Sequence, residues 1–227
     1  MNNLTGTVHV VDDDDAVRLA LDSLLRSMGL QVRTHATVEA FLARPLPDVV
    51  PSCVVLDVRL PGVSGLDLLR ASARTAHTEL PPTIVVTGHG DIPMSVQAMK
   101  AGAIEFLSKP FREADLLRAI EDALRLDSQQ HIQRAERAEW RQRYASLTRR
   151  EHEVLHLIVA GRLNKQIAAE LGVSEVTVKL HRAQVMRKMG QDTLADLVRG
   201  MTRLGDGERT TGVHPDTPPP APPYTKV

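Results

Sequence analysis

The chain has 227 residues, of which 42% are hydrophobic and 3% aromatic, and its formal net charge at pH 7 is zero. This length suits one large or two modest globular domains. Because aromatic residues are few, the cores of these domains must consist mainly of aliphatic side chains. The single cysteine, Cys53, excludes an internal disulfide. No apolar run approaches the roughly 18 residues that a membrane span needs, and no signal peptide precedes the first apolar run. We therefore expect a cytoplasmic protein.

The charges are unevenly distributed along the chain. Residues 1–125 contain 16 acidic and 12 basic residues, whereas residues 126–205 contain 9 acidic and 14 basic ones. An acidic half followed by a basic half predicts two domains with different partners, and the basic half is suited to a polyanion. The predicted segments are a first domain at 1–126, a helical linker at 127–145, a second domain at 146–205 and a disordered proline-rich tail at 206–227.

Strand-like and helix-like segments alternate through the first 125 residues. The run Val8–Val11 predicts a strand, and apolar side chains at helical spacing over 15–28 predict a helix that ends at Gly29. The continuous apolar run Cys53–Leu56 is typical of a strand buried on both faces. The other predicted elements are strands at 30–34, 83–86 and 104–107 and helices at 38–43, 66–73, 93–101 and from 111 onward. Five consecutive βα units predict a five-stranded parallel sheet with helices on both faces.

The rest of the chain has a helical pattern. Residues 112–144 predict one long helix, and its portion 129–143 is rich in Arg, Glu and Gln with little apolar stripe, which indicates a solvated helical linker. The pattern over 147–204 is helical throughout, with breaks at Gly161, Gly172 and Gly190. The second domain is therefore predicted to be an all-α domain of four helices.

Polar residues follow the predicted strands where each strand ends. Asp12 and Asp13 follow the first strand, Asp57 the third, Thr87 the fourth and Lys109 the fifth. Ligands of open parallel sheets bind outside the carboxyl ends of the strands. Three carboxylates at one edge would repel each other unless a cation held them, and hard oxygen ligands suit Mg²⁺. Because a carboxylate can attack a phosphoryl group, the set predicts a phosphoryl-transfer site.

A simpler interpretation of the acidic run at 12–15 is open at this point. Aspartate is favoured at helix starts, where its side chain caps backbone N–H groups and its charge complements the helix dipole. This interpretation suits Asp14 and Asp15, which lie nearest the predicted helix, better than Asp12 and Asp13.

The residues around these positions match a known pattern. The matching pieces are Val10-Val11-Asp12-Asp13, Val55-Leu56-Asp57, Leu60-Pro61, Ser64-Gly65, Thr87-Gly88, Ala101-Gly102-Ala103 and Lys109-Pro110-Phe111. Residues 8–112 therefore resemble the receiver domain of two-component response regulators, and residues 87–103 resemble the FixJ-like subgroup. The resemblance implies an α/β fold with a five-stranded parallel sheet in the flavodoxin-like strand order 2-1-3-4-5.

The resemblance also implies roles for the acidic residues. Asp57 is similar to the aspartate that accepts the phosphoryl group. Asp12 and Asp13 are similar to the acidic pair that binds Mg²⁺, with Asp57 and the backbone carbonyl of Arg59 as further ligands.

Two residues resemble the contacts through which the family senses the phosphoryl group. Thr87 and Lys109 look like those contacts, and Thr87 also looks like a switch residue together with Phe106. For Phe106, a plain core position is equally open from the sequence. In this family the bond before the proline that follows the lysine is usually cis, so we expect a cis Lys109–Pro110 bond.

Two short predicted helices, 164–169 and 174–189, frame a helix–turn–helix. Asn164 and Ser174 are suitable N-caps, and Gly172 permits the tight turn between the helices. The second helix is rich in basic and polar residues, which suits the major groove of DNA. A small helical bundle with a solvated basic face would show the same spacing.

The second domain also resembles a known family. The matching pieces are Leu147-Thr148, Arg150-Glu151, Glu153-Val154-Leu155, Gly161, Asn164-Lys165, Ile167-Ala168, Leu171, Ser174, Thr177-Val178-Lys179 and His181-Arg182. Residues 147–204 therefore resemble the LuxR-type helix–turn–helix domain. The resemblance implies that Lys179, Leu180 and Ala183 face base edges. It implies DNA-backbone contacts for Lys165, Thr177, Arg182 and Lys188.

The run His152–His156 matches the metalloprotease pattern H-E-x-x-H. The apolar residues around it, including Val154, Leu155 and Ile158, form a core stripe on the opposite side of the predicted helix. We therefore expect both histidines to point to solvent without a function. A catalytic zinc site would also need a third ligand and a cleft.

The expected function is that of a DNA-binding response regulator that is not an enzyme. A sensor histidine kinase is expected to phosphorylate Asp57. The face formed by the predicted helix at 93–101, the strand at 104–107 and the helix from 111 onward (helix 4, strand 5 and helix 5) is expected to form a homodimer that regulates transcription on double-stranded DNA. RNA polymerase is a further candidate partner, and no membrane is involved.

Three alternatives remain at this stage. A phosphatase that uses Asp57 as its nucleophile would need an acid where Arg59 stands. A nucleotide carrier would need a phosphate-binding loop after the first strand, where four aspartates stand instead. A DNA-binding protein whose receiver domain is never phosphorylated is the third alternative.

Overall fold

The computed structural model describes residues 5–43, 50–74, 80–88 and 92–210, with side chains as far as residue 202. Residues 211–227, the larger part of the predicted disordered tail, lie outside the described residues. The chain divides into two compact units, residues 1–133 and 134–227.

The first unit contains the predicted alternation of strands and helices. Its elements are β1 (Thr7–Val11), α1 (Asp15–Ser27), β2 (Gln31–His35), α2 (Val38–Leu42), β3 (Ser52–Asp57), α3 (Gly65–Arg74), β4 (Thr83–Thr87), α4 (Ile92–Lys100), β5 (Glu105–Ser108) and the first part of α5 (Glu113–Ala145). The strands form one parallel sheet in the order β2-β1-β3-β4-β5, which confirms the predicted fold.

Alternating side chains of the central strands build two cores, one on each face of the sheet. Val8, Val55 and Ile84 point to one face, where they pack with side chains of α1 and α5. Val54 and Val85 point to the other face, where they pack with α2, α3 and α4. Every residue of β1, β3 and β4 is buried, as expected for parallel strands covered on both sides.

The register of the sheet brings the carboxyl ends of its strands together. Val11 pairs with Leu56, Asp57 with Val86, and Thr87 with Ser108. The residues directly after β1 and β5, and the last residues of β3 and β4, therefore share one edge of the sheet.

A buried carboxylate lies at the opposite edge. Asp127 of α5 is 2% exposed and accepts hydrogen bonds from the backbone N–H of Ser52 at 2.7 Å and from its hydroxyl at 3.4 Å. His131 Nε2 lies 3.3 Å from the same carboxylate. The sequence assigns Asp127 to the helical linker. In the structure its hydrogen bonds to Ser52 connect α5 to the first residue of β3.

We expect Asp127→Ala to lower the free energy of unfolding of the first unit by about 1–3 kcal/mol, because it leaves a buried N–H and hydroxyl of Ser52 without their acceptor. Urea unfolding followed by far-UV circular dichroism measures the loss. Asp122→Ala is the matched control, because Asp122 lies on the same helix in an exposed pair with Arg125. Equal stability of the two variants would contradict the structural role of Asp127.

The second unit is all-α, as predicted. Its four helices after α5 are α6 (Arg149–Val159), α7 (Asn164–Leu171), α8 (Glu175–Met189) and α9 (Leu194–Thr210). Their core contains Leu147, Val154, Leu155, Ile158, Ile167, Ala168, Val178, Val185, Met189 and Leu197. Residues 206–210, which the sequence assigns to the tail, belong to α9.

Capping interactions define the ends of these helices. Thr148 and Glu151 form a reciprocal capping box at the start of α6. Ser174 caps α8 as predicted, and Gly172 adopts the left-handed conformation (φ 65°) between α7 and α8. The N-cap of α7 is Leu163 rather than the predicted Asn164, whose side chain instead accepts a hydrogen bond from Arg182 at 3.3 Å.

None of the helices in the described ranges combines the length and apolar character that a membrane-spanning segment requires.

Candidate functional site

Three carboxylates meet at the carboxyl edge of the sheet. Oxygen atoms of Asp12, Asp13 and Asp57 all lie within 4.8 Å of one another. Asp12 and Asp57 are buried, at 1% and 7% exposure, whereas Asp13 is exposed. The group thus has buried ligands on one side and an opening to solvent on the other.

The loop after β1 holds Asp12 in place. Its N–H donates to the carbonyl of His35 at 3.1 Å, and its side chain accepts from the N–H of Asp14 at 3.0 Å. The guanidinium of Arg18 donates to its carbonyl oxygen at 2.6 Å. Asp14 is the N-cap of α1, so the capping role that the sequence leaves open for the acidic run belongs to Asp14.

Asp57 is the last residue of β3, and a close approach of α3 shapes the backbone around it. A Cβ atom at Gly65 would overlap the carbonyl oxygen of Asp57, so only glycine allows α3 to begin at this position. Gly65 N–H and the Ser64 hydroxyl both donate to the carbonyl of Val58, at 3.1 and 3.2 Å. The N–H of Arg59, whose side chain is exposed, donates to Asp57 Oδ1 at 3.0 Å.

Lys109 joins two of the carboxylates. Its Nζ donates to Asp12 Oδ2 at 2.6 Å and to Asp57 Oδ2 at 2.8 Å. Burial lowers the pKa of Lys109, but its hydrogen bonds to the two carboxylates and their negative charge outweigh this effect, so the pKa is raised above its usual 10.5. The ammonium therefore offsets the repulsion between two buried acids.

The backbone around Lys109 connects it to β4. The N–H of Lys109 donates to the carbonyl of Thr87 at 2.8 Å, and the Lys109–Pro110 bond is cis as expected. Thr87 is fully buried at the end of β4. Phe106 is half-buried and packs against the core that contains α4. The structure thus brings Asp12, Asp13, Asp57 and Lys109 together, with Thr87 adjoining them through the backbone of Lys109.

The second candidate surface lies along α7 and α8. Lys165, Lys179, Leu180 and Ala183 are exposed, as a surface that meets DNA requires. The other three predicted contact residues are half-buried: Thr177, Arg182 and Lys188. The Lys188 ammonium donates to Glu151 Oε2 at 2.6 Å, so this side chain is engaged within the unit. A DNA contact by Lys188 stays a prediction.

Comparison with known proteins identifies both units. The family model for the response regulator receiver domain matches residues 8–121, and that for bacterial regulatory proteins of the luxR family matches residues 145–201. The chain is 48% identical over 206 residues to the response regulator protein TmoT of Ectopseudomonas mendocina, covering 91% of this chain and 92% of that one. This chain is a DNA-binding response regulator.

Other relatives support the same assignment. The response regulator is 48% identical over 193 residues to the transcriptional regulatory protein FixJ of Azorhizobium caulinodans, which covers 85% of this chain and 90% of that one. The solved structure of the response regulator StyR superposes with a TM-score of 0.76 at 46% identity, covering 88% of this chain and 100% of that one. Full-length FixJ from B. japonicum superposes with a TM-score of 0.51 at 41% identity over 88% and 98% of the two chains.

The H-E-x-x-H run of this response regulator has structural contacts that the sequence did not predict. His156 is exposed as expected, and its Nε2 lies 3.1 Å from the Tyr144 hydroxyl. His152 does not point freely to solvent: it is half-buried, and its ring meets that of Tyr144 edge-on at 4.4 Å between centroids. Glu153 pairs with Arg150 at 2.7 Å. Sequence patterns missed the two histidine contacts because Tyr144 comes from outside α6.

The raised pKa of Lys109 predicts how stability depends on pH in Mg²⁺-free buffer. The ammonium is more strongly protonated in the folded than in the unfolded state, so its contribution is fully present below pH 10.5 and is lost as pH rises through the raised value. The stability difference between wild type and Lys109→Met should therefore shrink above pH 10.5 in urea unfolding. The control is Lys100→Met, because Lys100 is exposed on α4. A Lys109→Met difference that is constant with pH would contradict the ion pair.

Proposed function

We propose that this response regulator accepts a phosphoryl group on Asp57 from a sensor histidine kinase and then dimerises and regulates transcription from double-stranded DNA. The observation that carries the proposal is the placement of the Asp57 carboxylate. This carboxylate is buried beside Asp12 and Asp13, and it accepts hydrogen bonds from the N–H of Arg59 and from the ammonium of Lys109, which fix its orientation. RNA polymerase is the further partner that this function calls for.

The acidic group fits Mg²⁺. Carboxylate oxygens are hard ligands, and Asp12, Asp13 and Asp57 can each supply one such oxygen to a common ion. The backbone carbonyl of Arg59 is the proposed fourth protein ligand. Bound Mg²⁺ would neutralise negative charge on the transferred phosphoryl group.

The protein groups would then perform the transfer. A carboxylate oxygen of Asp57 attacks phosphorus, the bond from phosphorus to the histidine nitrogen of the kinase breaks, and an acyl phosphate forms. Lys109, which donates to Asp57 Oδ2 before the reaction, would pair with a phosphoryl oxygen afterwards. The Thr87 hydroxyl is the proposed donor to a second phosphoryl oxygen. Its movement, with that of Phe106, would alter the neighbouring surface.

Exposed apolar side chains support dimerisation through the α4–β5–α5 face. Ile92, Val96 and Met99 of α4 are 81%, 46% and 48% exposed. Contiguous apolar groups on a surface helix favour association with a partner surface. Two copies joined there would present two α8 helices to two half-sites on DNA.

Phosphorylation can be tested by intact mass after incubation with Mg²⁺ and acetyl phosphate. Wild type should gain one phosphoryl group in a Mg²⁺-dependent manner, because the small donor replaces the kinase. Asp57→Asn should gain none, since an amide cannot act as the nucleophile. Asp67→Asn serves as the control, because Asp67 is exposed on α3. A phosphoryl group retained by Asp57→Asn would place the acceptor elsewhere, and no gain by wild type would favour an unphosphorylated receiver.

The proposed base contact of Lys179 and the proposed phosphate contact of Lys165 can be distinguished by how DNA affinity depends on base sequence and on salt concentration. Lys179→Ala should cost about 1–3 kcal/mol of binding free energy on a duplex that wild type selects from a randomised library, and should relax base preference. Lys165→Ala should weaken binding to all duplexes and reduce the salt slope by about one, because one phosphate contact is lost. Fluorescence anisotropy titrations at several salt concentrations distinguish the two effects. If both variants showed the same pattern, the assigned roles would be wrong.

A further inference from the structure

The last turns of α5 are part of the DNA-binding unit. The second compact unit begins at residue 134, whereas the luxR family match begins only at residue 145. Trp140 and Tyr144, which precede that match, pack against the core of the unit. The segment 134–144 therefore adds contacts to the helix–turn–helix unit that the family match does not cover.

Arg143 of this segment binds the end of the recognition helix. Its Nη1 donates to the carbonyl oxygen of Met189, the last residue of α8, at 2.9 Å. This carbonyl is one of the four at a helix C-terminus that have no partner within the helix, and from beyond the helix the Gln191 side chain also donates to it, at the longer distance of 3.2 Å. A guanidinium there also complements the negative end of the helix dipole. Glu139, four residues earlier, accepts from Nη2 at 2.6 Å and holds the guanidinium in orientation.

Two glycines allow the segment to approach this closely. A Cβ atom at Gly190, the C-cap of α8, would overlap the Arg143 guanidinium. A Cβ atom at Gly200 of α9 would overlap the Trp140 indole. Trp140 thus docks the segment on α9, and Arg143 reaches the end of α8 from there.

We propose that Arg143 is a positioning residue for DNA binding: it holds the C-terminal end of α8 in place for the major groove. The proposal rests on the assignment of α8 as the helix that reads DNA. Arg143 does not touch DNA in this account. Its effect passes through the carbonyl of Met189, so its loss changes the placement of α8 and not the number of phosphate contacts.

The test compares full-length wild type, Arg143→Met, Arg143→Lys and the control Arg141→Met, which removes an equal charge from an exposed position on the same helix. Hydrogen exchange should accelerate in the last turn of α8 in Arg143→Met only. Affinity for a duplex selected by wild type should fall about tenfold. For Arg143→Met, the dependence of the logarithm of affinity on the logarithm of salt concentration (the salt slope) should not change, and neither should the affinity for random duplexes. Arg143→Lys should recover most of the affinity, since a lysine can also donate to one carbonyl.

Other outcomes overturn the proposal in distinguishable ways. A salt slope reduced by about one, with equal losses on selected and random duplexes, would show that Arg143 contacts phosphate directly. A lower melting temperature with unchanged affinity would show a role in stability alone, and unchanged exchange and affinity would show no role. If wild type selected no duplex, the DNA-binding assignment and this proposal would both fail, while hydrogen exchange would still report whether Arg143 holds α8.

Gly200→Ala tests the docking by an independent route. Trp140 is the single tryptophan of the chain, so its fluorescence reports on this contact alone. The added methyl group should displace the indole, shift its emission to longer wavelength and reduce affinity for the selected duplex in the same way as Arg143→Met. A shifted emission with wild-type affinity would overturn the link between the docked segment and DNA binding.

Discussion

The first unit depends on the compensation of negative charge at the carboxyl edge of its sheet. Parallel pairing brings Asp12 and Asp57 together in a buried site, where two unpaired carboxylates would be strongly unfavourable. Lys109 offsets this cost by donating to both. The same arrangement leaves Asp13 exposed beside the pair, so the acidic group is buried on one side and reaches solvent on the other.

Helix α8 shows a related constraint, because the backbone groups at a helix end lack partners within the helix. Ser174 satisfies the N-terminus of α8 from within the helix–turn–helix. The C-terminus receives Arg143 from α5, and Lys188 in the last turn is held by Glu151 of α6. Gly190 and Gln191 also cap this end from within the local sequence, so contacts from α5 and α6 add to a local cap at the C-terminus of α8.

Local patterns predicted most of the architecture. Short apolar runs located the strands, and apolar side chains at helical spacing, with breaks at glycine, located the helices to within a few residues. The strand-end positions of Asp12, Asp57, Thr87 and Lys109 predicted a shared edge, because carboxyl ends of parallel strands meet at the same side of a sheet. The motifs around them resembled the receiver family, and separate motifs between residues 147 and 182 resembled the LuxR-type family; comparison with known proteins confirmed both.

Spacing along the chain therefore determined the element types and the sheet edge that carries the acidic group, whereas the family of each unit was indicated by its resemblance to known motifs. Tertiary structure alone decided which polar side chains of the long helix α5 are engaged. Asp127 bonds to Ser52, which lies 75 positions away in the sequence, and Arg143 bonds to Met189, which lies 46 positions away. A helix rich in charged residues shows the same sequence pattern whether its polar side chains face water or bond to backbone groups far away in the sequence. The reason is that the spacing of apolar residues indicates which side of the helix is buried and carries no information on hydrogen-bond partners.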